Sequence, residues 1–73
     1  MKEIKANVTG LIVECLVQPG ETVTMNQDVV MLESMKMYIP VQASVNGVVR
    51  TMKVKEGDVV HDGDVILELE ERR

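Results

Sequence analysis

Aromatic side chains are almost missing from this chain: its 73 residues include no Trp, no Phe and one Tyr, Tyr38. A substrate pocket walled by aromatic rings is thereby excluded. Cysteine is reduced to Cys15 and histidine to His61, so no internal disulfide can form, and neither a zinc site nor a Cys/His nucleophile is supported. Cys15 is expected in the core and His61 in a solvated turn. Positive charge is also scarce, with 8 basic against 12 acidic residues and a net charge of -4. No basic cluster interleaves with aromatics, which excludes nucleic acid as the expected partner. No run approaches the roughly 20 apolar residues that span a bilayer, and the opening MKEIKANVTG has no apolar signal segment. The expectation is a soluble, cytoplasmic chain with no membrane partner. Residues 1–73 are expected to make one domain, with room for a thin core of Val, Ile, Leu and Met and for one site.

What the chain does have is a repeat. GLIVECLVQPGETV (10–23) aligns with GVVRTMKVKEGDVV (47–60), placing Gly10 on Gly47, Val17 on Val54, Gly20 on Gly57 and Val23 on Val60. Beyond that, NQDVVML aligns with DGDVILE if one residue is dropped from the second copy, so that Asp28 meets Asp64 and Val29 meets Val65. QPGE and KEGD carry the Gly that a positive-φ turn position favours, and MNQD and HDGD are built from turn formers. Met52 and Val54 alternate with Lys53 and Lys55, the period of a half-buried strand. Cys15 and Val17 hold the same places in the first copy. Pro19 and Pro40 argue against helix. A strand-rich half of this size cannot bury its apolar face alone, so the copies are expected to pack on each other as sheets of a flattened sandwich or barrel with pseudo-twofold symmetry. The Asn46-Gly47 pair is expected to make the tight turn between the halves.

Between VVMLES and MYIPVQAS stand Met35 and Lys36. A hairpin there puts Met-Lys at the centre of a tight turn whose geometry asks for positive φ and ordinarily recruits Asn or Gly. A sequence that breaks a local rule is where function concentrates. Taken in isolation, the methionines also fit core or edge positions, and the lysine fits a solvated edge charge. The repeat separates these readings: Lys36 lies near the chain midpoint, where symmetry sets it at one end of the molecule with the termini near the other.

The whole pattern, from Gly10 to Leu69, resembles the biotinyl/lipoyl attachment domain. ESMKM places Lys36 at the acceptor position, and the Gly20 and Gly57 turns and GDVILELE complete the match. Met35 and Met37 around the lysine are the biotinyl form of the motif, whereas Ser34 stands where alanine is usual in biotin carriers. The chain looks most like short, free-standing attachment proteins. The resemblance implies an all-β flattened barrel of two four-stranded antiparallel sheets, with Lys36 exposed on a hairpin and Met35, Met37 and Glu33 as flanking recognition residues.

It implies a carrier with no catalytic or metal-binding residues. A biotin protein ligase would attach biotin to Lys36, and the carrier, as a monomer, would shuttle carboxyl groups between biotin carboxylase and carboxyltransferase subunits. The alternatives are a lipoyl carrier of a 2-oxo acid dehydrogenase-type complex, a dual acceptor of biotin and lipoate, and an unmodified interaction module.

Overall fold

The computed structural model describes residues 1–72, and every regular element in them is a strand. In chain order these are β1 (Lys2–Lys5), β2 (Gly10–Cys15), β3 (Thr22–Val23), β4 (Asp28–Ser34), β5 (Met37–Gln42), β6 (Gly47–Met52), β7 (Val59–Val60) and β8 (Val65–Glu71). They form two four-stranded antiparallel sheets, ordered β1-β8-β6-β3 and β5-β4-β2-β7. We call the first the terminal sheet, because β1 and β8 lie in it, and the second the hairpin sheet. The body measures 36 × 19 × 18 Å. Among the described residues no helix is long and apolar enough to cross a membrane.

The repeat is more regular than the sequence alignment suggests. Strands recur at a constant displacement of 37 residues: β2 at 10 and β6 at 47, β3 at 22 and β7 at 59, β4 at 28 and β8 at 65. Loop hydrogen bonds follow the same rule. Gly20 N–H donates to Val49 O as Gly57 N–H donates to Ile12 O, and Leu16 N–H to Val29 O as Lys53 N–H to Ile66 O. The dropped residue is therefore a correction. Asp64 is the mate of Gln27, not of Asp28, and Val29 is matched by Ile66, not by Val65. The Gln27 side-chain oxygen accepts from Thr24 N–H as the Asp64 carboxylate accepts from His61 N–H. The shared Asp-Val letters misled because equivalence is fixed by burial and turn geometry: Val29, Val30 and Leu32 are buried, as are Ile66, Leu67 and Leu69.

The same displacement places β1 with the second half, where it does for β8 what β5 does for β4: Ile4 pairs with Leu67 as Val41 pairs with Val30. The halves also exchange their shortest strands. β3 pairs with β6 and β7 pairs with β2, so each sheet is completed by two residues from the other half. The core between the sheets is Val, Ile, Leu and Ala drawn from both halves, and among the described residues no polar or charged one is buried.

Three local expectations need revision. Asn46-Gly47 is not the turn. The chain bends at Ser44 and Val45, and Gly47 already begins β6. Asn46 instead ties loops together, its Oδ1 accepting from Met25 N–H at 2.8 Å and its carbonyl from Arg72 N–H at 2.8 Å. The alternating run at 52–55 keeps its in-out burial, but the ladder ends at Met52. Cys15 is half-buried against the core rather than inside it. His61 lies exposed at a turn, as its neighbours predict.

Candidate functional site at the β4-β5 hairpin

β4 and β5 pair from Asp28 opposite Gln42 up to Ser34 opposite Met37. That leaves Met35 and Lys36 as the entire connection. Their φ angles are 53° and 65°, positive at both central positions as a type I′ turn requires. The third non-glycine residue with positive φ among those described is Asn26, a residue that tolerates this region. Met and Lys carry no such local compensation, and each costs roughly 1–2 kcal/mol in the left-handed region. The ladder behind them imposes the geometry.

The tip is open to solvent. Met35 is 92% exposed, Met37 64% and Tyr38 66%, and Lys36 is exposed as well. Among the described residues the ion pairs are Lys5 with Glu3 and Arg50 with Glu70, so the Lys36 ammonium has no carboxylate partner. Glu33 is half-buried, opposite Tyr38 on one side and Leu11 on the other, and it makes no side-chain hydrogen bond to the tip. The structure thus brings Met35, Lys36 and Met37 together at the turn and sets Glu33 one residue pair behind it. An unpaired primary amine on a rigid two-residue turn suits covalent attachment of an acyl group, because nothing in the protein competes for it.

The tip is supported from the side. Gly10, at the start of β2, lies so close to β4 that a Cβ there would be 2.7 Å from the Glu33 carbonyl oxygen. In the sequence Gly10 stands out only as the match of Gly47, and Gly47 was expected in the turn between the halves. Their equal spacing from the turn glycines was the available signal that they serve the strands and not the turns.

Elsewhere, a cavity of about 450 Å³ opens between the 15–19 and 52–56 segments, lined by symmetry mates such as Cys15 with Met52 and Val17 with Val54. None of its lining residues belongs to the hairpin. Burial pushes the Cys15 thiol above its ordinary range, and the Glu56 and Asp58 carboxylates add to the effect, the reverse of what a nucleophile needs. No group of three or more His, Cys, Asp or Glu among the described residues could hold a metal ion.

Comparison with known proteins places the whole domain in a family. The family model described as biotin-requiring enzyme matches residues 2–69. The chain is 42% identical to the biotin/lipoyl attachment protein of Bacillus subtilis over 90% of each chain. It is 39% identical to the pyruvate carboxylase of Staphylococcus aureus over 92% of this chain, which is 6% of that enzyme. It is also 42% identical to the dihydrolipoyllysine-residue acetyltransferase component of the Pseudomonas aeruginosa pyruvate dehydrogenase complex, over 88% of this chain and 12% of that one. In three dimensions it matches the Kluyveromyces lactis urea carboxylase with a TM-score of 0.89 at 26% identity, covering 94% of this chain and 6% of that chain.

Proposed function

We propose, since this chain belongs to the biotin/lipoyl attachment family, that it is a biotin carboxyl carrier modified on Lys36. Domains of this family are carriers and not catalysts. The observation that carries the assignment to this residue is the turn itself: Lys36 is held in a positive-φ position with no ion-pair partner and an exposed methionine on each side. Of the remaining lysines, Lys2 and Lys5 lie in β1, and Lys53 and Lys55 in the segment after β6.

The chemistry this chain contributes is small. Lys36 Nζ, after losing its proton, attacks the acyl carbon of an acyl-adenylate held by a separate ligase. A C–N bond forms, the nitrogen releases its second proton to solvent, and AMP departs with the electron pair of the broken C–O bond. Biotin, when bound, supplies a ring that takes up and gives up a carboxyl group. The protein's part is to hold the amine away from its own carboxylates and to fix the direction in which the stem leaves the turn. Stem and cofactor chain together give an arm of roughly 14 Å, from about a dozen bonds of ~1.5 Å laid along a zigzag. Tethering keeps the carried group at high effective concentration near both a biotin carboxylase and a carboxyltransferase, in a cytoplasmic, monomeric, single-domain carrier.

Lipoate on the same lysine is the second reading. It is favoured by the likeness to the acetyltransferase components, 42% and 41% identical, and by Ser34 before the methionine. Intact mass after incubation with biotin, ATP and biotin protein ligase, and separately with lipoate and its ligase, tests both. The expected result is one biotinyl increment, mapped by peptide sequencing to Lys36 and abolished in Lys36→Arg. Arginine keeps the charge but stays protonated. An increment on Lys2, Lys5, Lys53 or Lys55 of the wild-type chain would overturn the assignment.

A further inference from the structure

The constant 37-residue displacement gives this fold an internal control. Positions of β2, β4 and β7 on the outer face of the hairpin sheet have mates in β6, β8 and β3 of the terminal sheet. Val59 corresponds to Thr22, Val13 to Arg50 and Met31 to Glu68. At these three places the terminal sheet accepts polar or charged side chains, whereas the mate of Leu11 is Val48, apolar on both sheets. On the hairpin sheet the three are apolar. Tyr38, Leu11 and Val59 stand in one row across β5, β2 and β7, interrupted only by Glu33 on β4, with exposures of 66%, 39% and 65%. Val13, 38% exposed, occupies the bulge of β2 behind that row.

Charge divides in the same way. Strands β2, β4, β5 and β7 contain Glu14, Asp28 and Glu33 and no Lys or Arg, whereas the terminal sheet carries Lys2, Lys5 and Arg50 among its acids. The hairpin sheet thus presents an apolar, purely acidic outer face running from Tyr38 directly into Met37 and the tip.

We infer that this face is the docking surface for the enzyme that acylates Lys36, a partner with a complementary apolar strip flanked by basic side chains. The inference rests on the function proposed above. Distance selects the ligase over the carboxylases. Acylation takes place at Nζ, only ~6 Å from the lysine Cα by bond-length reckoning, so the ligase must bring its surface against the body of the hairpin sheet. Enzymes that act on the carried group meet it a full arm's length farther out. A small apolar patch with a one-signed rim suits a contact that must also release its product, since transient complexes lie at the small end of interface areas.

The test replaces hairpin-sheet residues by their own symmetry mates: Val13→Arg, Met31→Glu and Val59→Thr together, with Glu3→Gln/Glu68→Gln on the terminal sheet as the control. Ligase kcat/KM is measured on each, alongside the melting temperature and the reaction of Lys36 with an activated biotin ester. The expected result is a fall of tenfold or more for the triple variant, mostly through KM, with unchanged ester reactivity and a control that behaves as wild type. If the triple variant melts early, Val59→Thr alone is expected to lower kcat/KM about threefold. Wild-type kinetics in the folded triple variant would overturn the inference, as would an equal loss in the control or a parallel loss of ester reactivity. A wild-type dimer in sedimentation that the triple variant abolishes would assign the face to a second copy instead and overturn it too. No acylation of wild-type Lys36 by either ligase would overturn the proposed function and this inference with it.

Discussion

The α-carbon of Gly10 faces the carbonyl oxygen of Glu33 so closely that an added Cβ would lie 2.7 Å away, and the mated pair, Gly47 and Glu70, is tighter still at 2.5 Å. Both obstacles are backbone atoms, which cannot swing aside. Alanine at Gly10 or Gly47 is therefore expected to cost about 2 kcal/mol or more, in the range of overpacking. Gly20 and Gly57 have open space around them and need only their positive φ, so alanine there should cost about 1 kcal/mol. Denaturant unfolding of the four variants checks the order.

The hairpin tip is expected to be stabilised by destroying it as an acceptor. Asn at 35 with Gly at 36 suits a type I′ turn, so Met35→Asn/Lys36→Gly should raise stability by about 1 kcal/mol, within the usual reach of such repairs. Thermal melts would show the gain and mass spectrometry the loss of modification. A lower melting temperature would mean that the tip is not under the strain its φ angles indicate.

Cofactor choice is expected to follow the methionines. Met35→Asp with Met37→Ala should lower biotinylation and raise lipoylation without unfolding the chain, because both side chains project from the turn into solvent. Parallel reactions with the two ligases, read by intact mass, measure the shift. Equal modification before and after would place recognition elsewhere.

Cys15 should be slow to alkylate. Its thiol is held above the ordinary range, chiefly by burial and further by Glu56 and Asp58. At any pH near the usual thiol value of about 8.5 it therefore carries less thiolate than a free cysteine. The rate with iodoacetamide should keep rising to a higher pH in the native protein than in urea. Glu56→Gln should move the native profile partway back.

The two-residue turn at Met35 and Lys36 was legible in the sequence because Met-Lys violated a rule that depends on two residues only. The turn glycines were legible for the same reason: Gly20, Gly57 and Gly63 all have positive φ. Gly47 and the copy alignment from residue 26 onward were not. A close approach between strands depends on partners far along the chain, and the matching Asp-Val letters concealed a displacement that hydrogen bonds define better than residue identity. The apolar outer face was equally hidden. Leu11 and Val59 look like core residues in a linear pattern, and only the register that sets them beside Tyr38 and Glu33 shows that they face outward.

The exchange of β3 and β7 between the sheets has a kinetic consequence. Neither half can finish its own sheet until the other has supplied a strand, since β7 closes onto β2 and β3 onto β6 across long stretches of intervening chain. Such a topology leaves little for a growing polypeptide to assemble early. Partners that distant in sequence meet late, and folding dominated by them runs toward the slow end for small domains, in milliseconds to seconds. The chain should emerge from the ribosome uncommitted and then fold in one cooperative step. A ligase that reads the β5-β4-β2-β7 surface would find its substrate only after that step, so an incompletely folded copy would go unlabelled.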